Sequence, residues 1–315
     1  NRIVIPFDGS LKDFKHVLHH EMVHLFINDM LYGGSIKNMV YSNVRFIPLW
    51  MNEGLAEYLA EKWNVNSEMW ARDIAVNSGD LPTKYELNGY LAYRGGQSIW
   101  KFITTKWGEE IISEIFWQLK KKGDLNLAIK ASIGTDLEGL FNMWHKNLKE
   151  LYWPDIDKRD NLSEIGTILI DHKKLDNSYN IAPSLSPSGE KFAIYSNKSG
   201  NMSIYLVSTS DGKFLKKILE GETTTKFEEL HILKPGISWS PNGENIVFSA
   251  KSGKSDALFV LNIITNKIEK INLNLEGVFQ PMWNPNKNYT EFAFIGNSGK
   301  NSDIYIYNYK NRNLT

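Results

Sequence analysis

Up to about Trp153 the apolar residues of this chain recur at helical spacing; beyond about Ser178 they fall in short β-rich runs separated by Ser, Pro, Asn and Gly. This change of texture predicts a multidomain α+β chain. A mostly helical domain is expected over 1–153, a linker with the first strand of the next domain over 154–178, and an all-β domain over 179–315. In the first domain, Ser10 and Asp13 form an S-x-x-D cap ahead of a long helix reaching about Leu31, where Gly33-Gly34 supplies the stop. A second helix is expected from Pro48, in its first turn, to about Trp63, and others at about 67–76, 91–106, 109–121 and 136–151. Ile3-Val4-Ile5-Pro6-Phe7 reads as a strand, a small sheet remnant beside the helices. The tryptophans, among them Trp50, Trp63, Trp70, Trp100, Trp107, Trp117 and Trp144, sit mostly at helical spacing and read as core. Lys120-Lys121-Lys122 reads as a helix C-terminus meeting the helix dipole.

The β-rich part contains an internal repeat. Leu185-Ser186-Pro187-Ser188-Gly189-Glu190 matches Trp239-Ser240-Pro241-Asn242-Gly243-Glu244, and Trp283-Asn284-Pro285-Asn286-Lys287 is a third copy. Each leads into a strand signal and then a second one, at Ser203–Val207, Asp256–Val260 and Asp303–Tyr307. The prolines are 54 and then 44 residues apart, close to the period of β-propeller blades. Physically, each copy is a turn joining strands whose apolar faces one four-stranded unit cannot bury alone. These copies resemble the WD40-like repeats of TolB-type propellers. The resemblance implies a partial β-propeller of about three blades where that family has six or more, so either the chain continues past Thr315 or the blades form an open arc. It also implies an exported or periplasmic bacterial setting, with the propeller as a surface for substrate or a protein partner.

Length and composition narrow the function. At 315 residues the chain can hold two cores, and 42% hydrophobic with 23% charged residues is ordinary for a folded, water-soluble protein. Lys+Arg and Asp+Glu balance at 36 each, leaving no positive field to gather nucleic acid. No run approaches the length of a transmembrane segment. The start at Asn1 reads as a processed or trimmed end. Cysteine is absent, so any metal must be held by His and carboxylates.

The first long helix carries His16-Val17-Leu18-His19-His20-Glu21-Met22-Val23-His24. His20 and His24, one turn apart on one face, can reach one ion, with Glu21 beside them: the H-E-x-x-H pattern. His16 pairs with His20 at the same spacing, but Val17 stands where the glutamate would be, and His16 and His24 lie about 12 Å apart along the helix. His16 and His19 therefore read as solvent or packing residues, and His145, His172 and His231 as structural. A zinc site with an open position needs a third donor, and Trp50-Met51-Asn52-Glu53-Gly54-Leu55-Ala56-Glu57 offers Glu53 on the next helix. Glu57, one turn later, can accept the outer N–H of a ligating imidazole.

His20-Glu21-x-x-His24 with Asn52-Glu53-Gly54-x-Ala56-Glu57 resembles the gluzincin metallopeptidases, the thermolysin-like clan that includes the peptidase MA-like domains, over about residues 1–150. The resemblance implies Zn2+ held by His20, His24 and Glu53, with Glu21 as general base in peptide-bond hydrolysis. Glu57 would be the carboxylate that steadies a zinc-bound histidine, and Asn52 matches the family's N-E pair. The G-x-M-E-N motif with which the clan's aminopeptidases bind a free amino terminus is absent, which argues against that activity. A further transition-state donor, Tyr or His, is expected; Tyr93 is the first candidate and Tyr90 the second. The chain thus reads as a zinc metallopeptidase acting on a peptide or protein. The rival reading is a catalytically silent zinc-binding scaffold whose propeller mediates protein interaction.

Overall fold

A computed structural model describes residues 5, 7, 10–44, 47–77, 81–158, 160, 162–175, 179–221, 227–231 and 234–315. It divides into two compact units, a helical one containing residues 12–161 and a β one containing residues 162–315. The first is all-helical among the described residues: α1 (Leu11–Tyr32), α2 (Ile36–Tyr41), α3 (Leu49–Glu61), α4 (Val65–Asn77), α5 (Gly89–Trp107), α6 (Ile111–Lys122), α7 (Leu125–Ile133) and α8 (Leu137–Tyr152). The strand expected at Ile3–Phe7 lies for the most part outside the described residues.

Glycine and proline set the helix ends largely as expected. Gly33 (φ 59°) closes α1 with its N–H on the Asp29 carbonyl. Pro48 stands one residue before α3 rather than in its first turn, because its ψ of 144° is extended. α3 stops at Glu61 rather than Trp63, where Lys62 turns to positive φ. Two helices had no strong periodic signal. α2 is only six residues long. α7 is capped by Asp124, whose side chain accepts from the Leu127 N–H at 2.8 Å, and closed by Gly134 in the left-handed region.

The helical core is built round Trp50, Trp100 and Trp144, all nearly inaccessible. Their ring nitrogens are largely satisfied from within: Trp100 Nε1 donates to the Met51 carbonyl at 2.9 Å and Trp144 Nε1 to Ser98 Oγ at 3.1 Å. Trp117 is a correction to the core reading, since half of it is exposed and the Lys121 ammonium lies over its ring. Lys120 does more than face the dipole of α6, since it donates to the Met30 carbonyl at the end of α1.

α3 and α5 meet at two glycines. A methyl group on Gly96 would collide with the Trp50 carbonyl and sit 2.9 Å from Gly54 Cα, and one on Gly54 would collide with the Gly96 backbone. Only glycine at both positions lets these two backbones approach so closely. The crossing sets α3, which carries Asn52, Glu53 and Glu57, against α5, which carries Tyr93.

The β unit contains three four-stranded antiparallel sheets that resemble propeller blades, preceded by the single turns α9 (Leu162–Ile165) and α10 (His172–Leu175). The first sheet runs β1 (Asn180–Leu185), β2 (Lys191–Ser199), β3 (Asn201–Ser208), β4 (Phe214–Glu220). The second runs β5 (Ile237–Trp239), β6 (Asn245–Ser252), β7 (Ser255–Asn262), β8 (Ile268–Ile271). The third runs β9 (Gly277–Trp283), β10 (Glu291–Asn297), β11 (Ser302–Asn308), β12 (Asn313–Leu314). The Ser-Pro-x-Gly repeats are the β1–β2 and β5–β6 turns, closed by Gly189 N–H on the Ser186 carbonyl and Gly243 N–H on the Ser240 carbonyl.

Neighbouring sheets bury one another's faces. Ala193, Tyr195, Ile204 and Leu206 of the first share a cluster with Ile246, Phe248 and Phe259 of the second, and Val247, Leu258 and Val260 of the second share one with Phe292 and Phe294 of the third. The longer first period comes from an insertion between β4 and β5. Its Phe227 and Leu230 are buried in the core between the first two sheets, and Glu229 bridges to Lys251 of β6.

Replacing Gly96 by Ala should destabilise the helical unit by about 2–3 kcal/mol, the cost of overpacking against rigid backbone. Urea unfolding followed by tryptophan fluorescence measures the shift.

Candidate metal centre

α1 lines up His16, His20 and His24 at four-residue intervals, and Val23, Ile27 and Leu31 on the same face enter the core. His20 is buried at 7% exposure, and His16 and His24 are half-buried. α3 faces this row with Asn52, Glu53, Glu57 and Glu61, and α5 adds Tyr93 and Arg94.

Three donor atoms converge. His20 Nε2 lies 3.0 Å from Glu53 Oε2, His24 Nε2 lies 3.2 Å from the same oxygen, and the two imidazole nitrogens are 3.2 Å apart. Ligands at about 2.0–2.1 Å from a tetrahedral zinc would be separated by about 3.3 Å. The triangle therefore has nearly the edge length that one such ion requires, and two imidazoles with one carboxylate are a donor set that zinc takes. The outer nitrogens are held as well. His24 Nδ1 is 3.3 Å from Asn52 Oδ1, and His20 Nδ1 is 3.1 Å from Glu57 Oε1, an ion-pair approach in which its N–H is not aligned on the oxygen. Both outer contacts leave Nε2 facing the triangle.

His20, Glu57 and His16 form a second cluster compact enough for an ion. There Glu57 Oε2 already has the Arg94 guanidinium 3.0 Å away, a fixed positive charge that opposes a further cation. The set of His20, His24 and Glu53 carries no such opposing charge among the contacts of its members. His16 is a correction to the reading as a solvent or packing side chain. Its Nε2 is 3.2 Å from Glu57 Oε1 and its Nδ1 is 3.0 Å from Glu61 Oε1, so it belongs to the polar network behind the triangle.

The electrostatics follow from this crowding. Burial by itself would lower the pKa of His20, but the carboxylates of Glu53 and Glu57 outweigh it and raise it to about 9. Burial likewise works against ionisation of Glu53, yet His20 and His24 hold it down at about 2. Glu57 is also held at about 2, against its burial, by His16, His20 and Arg94.

Of the two tyrosine candidates, the structure brings Tyr93 to the centre. Its ring stacks on His20 at 5.8 Å and 17°, and Glu53 is close enough to act on its hydroxyl. Burial first, then the charges of Glu53, Glu57 and Glu21, push this phenol up to about 12, so it keeps its proton. Tyr90 stands one layer further out, exposed, edge-on to Trp70 and with its hydroxyl accepting from Arg94 Nε at 3.3 Å. Glu21 is half-buried beside the triangle, close enough for its charge to act on Tyr93. Sequence reasoning missed Arg94 and Glu61. The available signals were adjacency of Arg94 to Tyr93 and the four-residue step from Glu57 to Glu61.

No protein-family model matches this chain, and no curated protein matches it. Among solved structures it is similar over 44% of its length to TolB from Acinetobacter baumannii, at 21% identity and a TM-score of 0.37, covering 31% of that chain. A putative TolB from Agrobacterium tumefaciens is similar over 44%, at 16% identity and a TM-score of 0.36, with 49% of that chain covered. The β-propeller domain of the Trilobed protease from Pyrococcus furiosus is similar over 44%, at 16% identity and a TM-score of 0.31, with 41% covered. The chain thus spans less than half the length of each of these proteins, and the similarity lies in its β region.

Proposed function

We propose that the helical unit is a zinc-dependent peptidase domain of the gluzincin type, acting on a peptide or protein, with the β unit as a surface for substrate or a protein partner. The observation that carries this reading is the convergence of His20 Nε2, His24 Nε2 and Glu53 Oε2 at 3.0–3.2 Å. An exported bacterial setting is part of the same proposal and rests on the repeat motifs of the β unit.

His20, His24 and Glu53 would hold the ion. Zinc there would supply a Lewis acid for the scissile carbonyl and bring the pKa of a water toward about 7. The remaining roles belong to side chains of this chain. Glu21, with its carboxylate free of the ligand triangle, takes the proton of the attacking water and passes it to the leaving amine. Tyr93, kept as a phenol by the carboxylates around it, donates a hydrogen bond to the oxyanion. Asn52 and Glu57 hold the imidazoles from behind, so that both present Nε2.

Two sets of measurements test this. Glu21→Gln should retain stoichiometric zinc by elemental analysis while hydrolysis of casein or a peptide library falls by about 10²–10⁴-fold. Zinc without turnover in the wild type would instead support the silent scaffold. His20→Ala should abolish zinc binding in a titration, whereas His16→Ala should keep it. Zinc affinity should also depend on pH in a defined direction. With His20 raised to about 9 in the metal-free protein, a proton competes for Nε2 below that pH. Affinity should therefore fall up to about tenfold per unit as pH drops below about 9, measured by competition with a chromogenic chelator.

A further inference from the structure

Arg94 sits on α5 with its side chain only 10% exposed, and its guanidinium is engaged through NH1 and Nε. NH1 lies 3.0 Å from Glu57 Oε2 and 3.5 Å from Glu61 Oε2, and it donates to Gln97 Oε1 at 3.2 Å. Nε donates to the Tyr90 hydroxyl at 3.3 Å. Gln97 is itself fully buried and anchored, its Nε2 donating to the Lys62 carbonyl at 3.0 Å. The guanidinium is thus locked to both helices that meet at Gly54 and Gly96.

Glu57 is the side chain that most needs such a partner. It is 5% exposed, and Glu61 follows it by one turn on the same face of α3. Two carboxylates so placed repel one another, and a buried one without a counter-charge is strongly disfavoured. Arg94 spans both, and it takes Oε2 of Glu57, which leaves Oε1 to face His20 Nδ1 at 3.1 Å and His16 Nε2 at 3.2 Å. A lysine ammonium could sit near one carboxylate, but it lacks the planar fork that serves Glu57, Glu61, Gln97 and Tyr90 together.

We propose that Arg94 is a positioning residue of the metal centre: by holding Glu57 Oε2 it aims Glu57 Oε1 at the outer nitrogen of His20, so that Nε2 is presented to the triangle with His24 and Glu53. The proposal rests on the reading of that triangle as a metal site, and Arg94 touches neither ion nor substrate. Its role differs from that of a buried ion pair kept for stability, because its effect on zinc runs through one other side chain. Partners of this kind are worth about 10–100-fold in metal affinity.

Zinc itself is the probe, titrated against a chromogenic chelator into the whole chain as wild type, Arg94→Gln, Arg94→Lys, Glu57→Gln and the Arg94→Gln/Glu57→Gln double variant, with circular dichroism to confirm helix content. Arg94→Gln should lower zinc affinity by about 10–100-fold. Arg94→Lys should lose less than Arg94→Gln. The double variant should bind no more weakly than Glu57→Gln alone, because Arg94 then has no carboxylate to aim. Wild-type affinity in Arg94→Gln, equal losses in Arg94→Lys and Arg94→Gln, or losses that multiply in the double variant would each overturn the proposal. If Arg94→Gln does not fold, Glu57→Gln and the double variant still decide, since neither leaves Glu57 charged and unpaired: equal affinity supports the proposal and a further tenfold loss overturns it. Zinc binding by a wild type that cleaves no peptide would defeat the peptidase reading and leave this one standing. A wild type that binds no zinc would defeat both.

Discussion

The close approach of α3 and α5 at Gly54 and Gly96 is the constraint on which the candidate centre depends. α1 can present three imidazoles in a row by helix geometry alone, but imidazoles on one helix do not make a three-ligand site. The carboxylates come from α3, and the side chains that steady those carboxylates come from α5. Separating the two helices by the width of one methyl group would shift Arg94 away from Glu57, an ion pair of 3.0 Å that tolerates little displacement. The tryptophans lock the crossing from below, with Trp50 on α3 and Trp100 on α5 both fully buried and the Trp100 ring nitrogen bonded to the α3 backbone.

Around that crossing the charges are arranged in two layers. The triangle of His20, His24 and Glu53 forms one layer, and His16, Glu57, Glu61 and Arg94 form the other. His20 belongs to both layers, one ring nitrogen in each. Nε2 meets the Glu53 carboxylate in one layer, and Nδ1 faces the Glu57 carboxylate in the other. Asn52 stands behind His24 with a neutral amide, so the two imidazoles of the triangle are backed by groups of different charge.

The local parts of this arrangement were legible in the sequence and the non-local parts were not. The four-residue spacing of His20 and His24 and the Gly33 stop of α1 depend on neighbours in the chain, which local pattern reads well. So does the Ser-Pro-x-Gly turn, which joins the first two strands of the first and second sheets. Glu53 could be proposed because one helix must follow another, but the pairing of Arg94 with Glu57 joins residues on different helices through a packing angle that no spacing rule gives. The same limit explains His16: its i, i+4 position was visible, while the glutamates that engage it were not on its own helix. α2 and α7 were missed because helices of six and nine residues present too few turns for an apolar stripe to stand out. Trp117 shows the converse error, since helical spacing identifies a face but cannot say whether anything covers it.

The donors of the triangle come from two helices separated in the chain by the Gly33–Pro48 connection, and no single helix holds all three. An ion held there would cross-link α1 to α3, much as a staple joins two sheets of paper. Its departure would then require those helices to part, or one side chain after another to let go while the other two still grip. The rate of metal loss would accordingly be governed by the opening of this helix pair, and the lifetime of the bound ion would serve as a clock for a motion that no equilibrium affinity records.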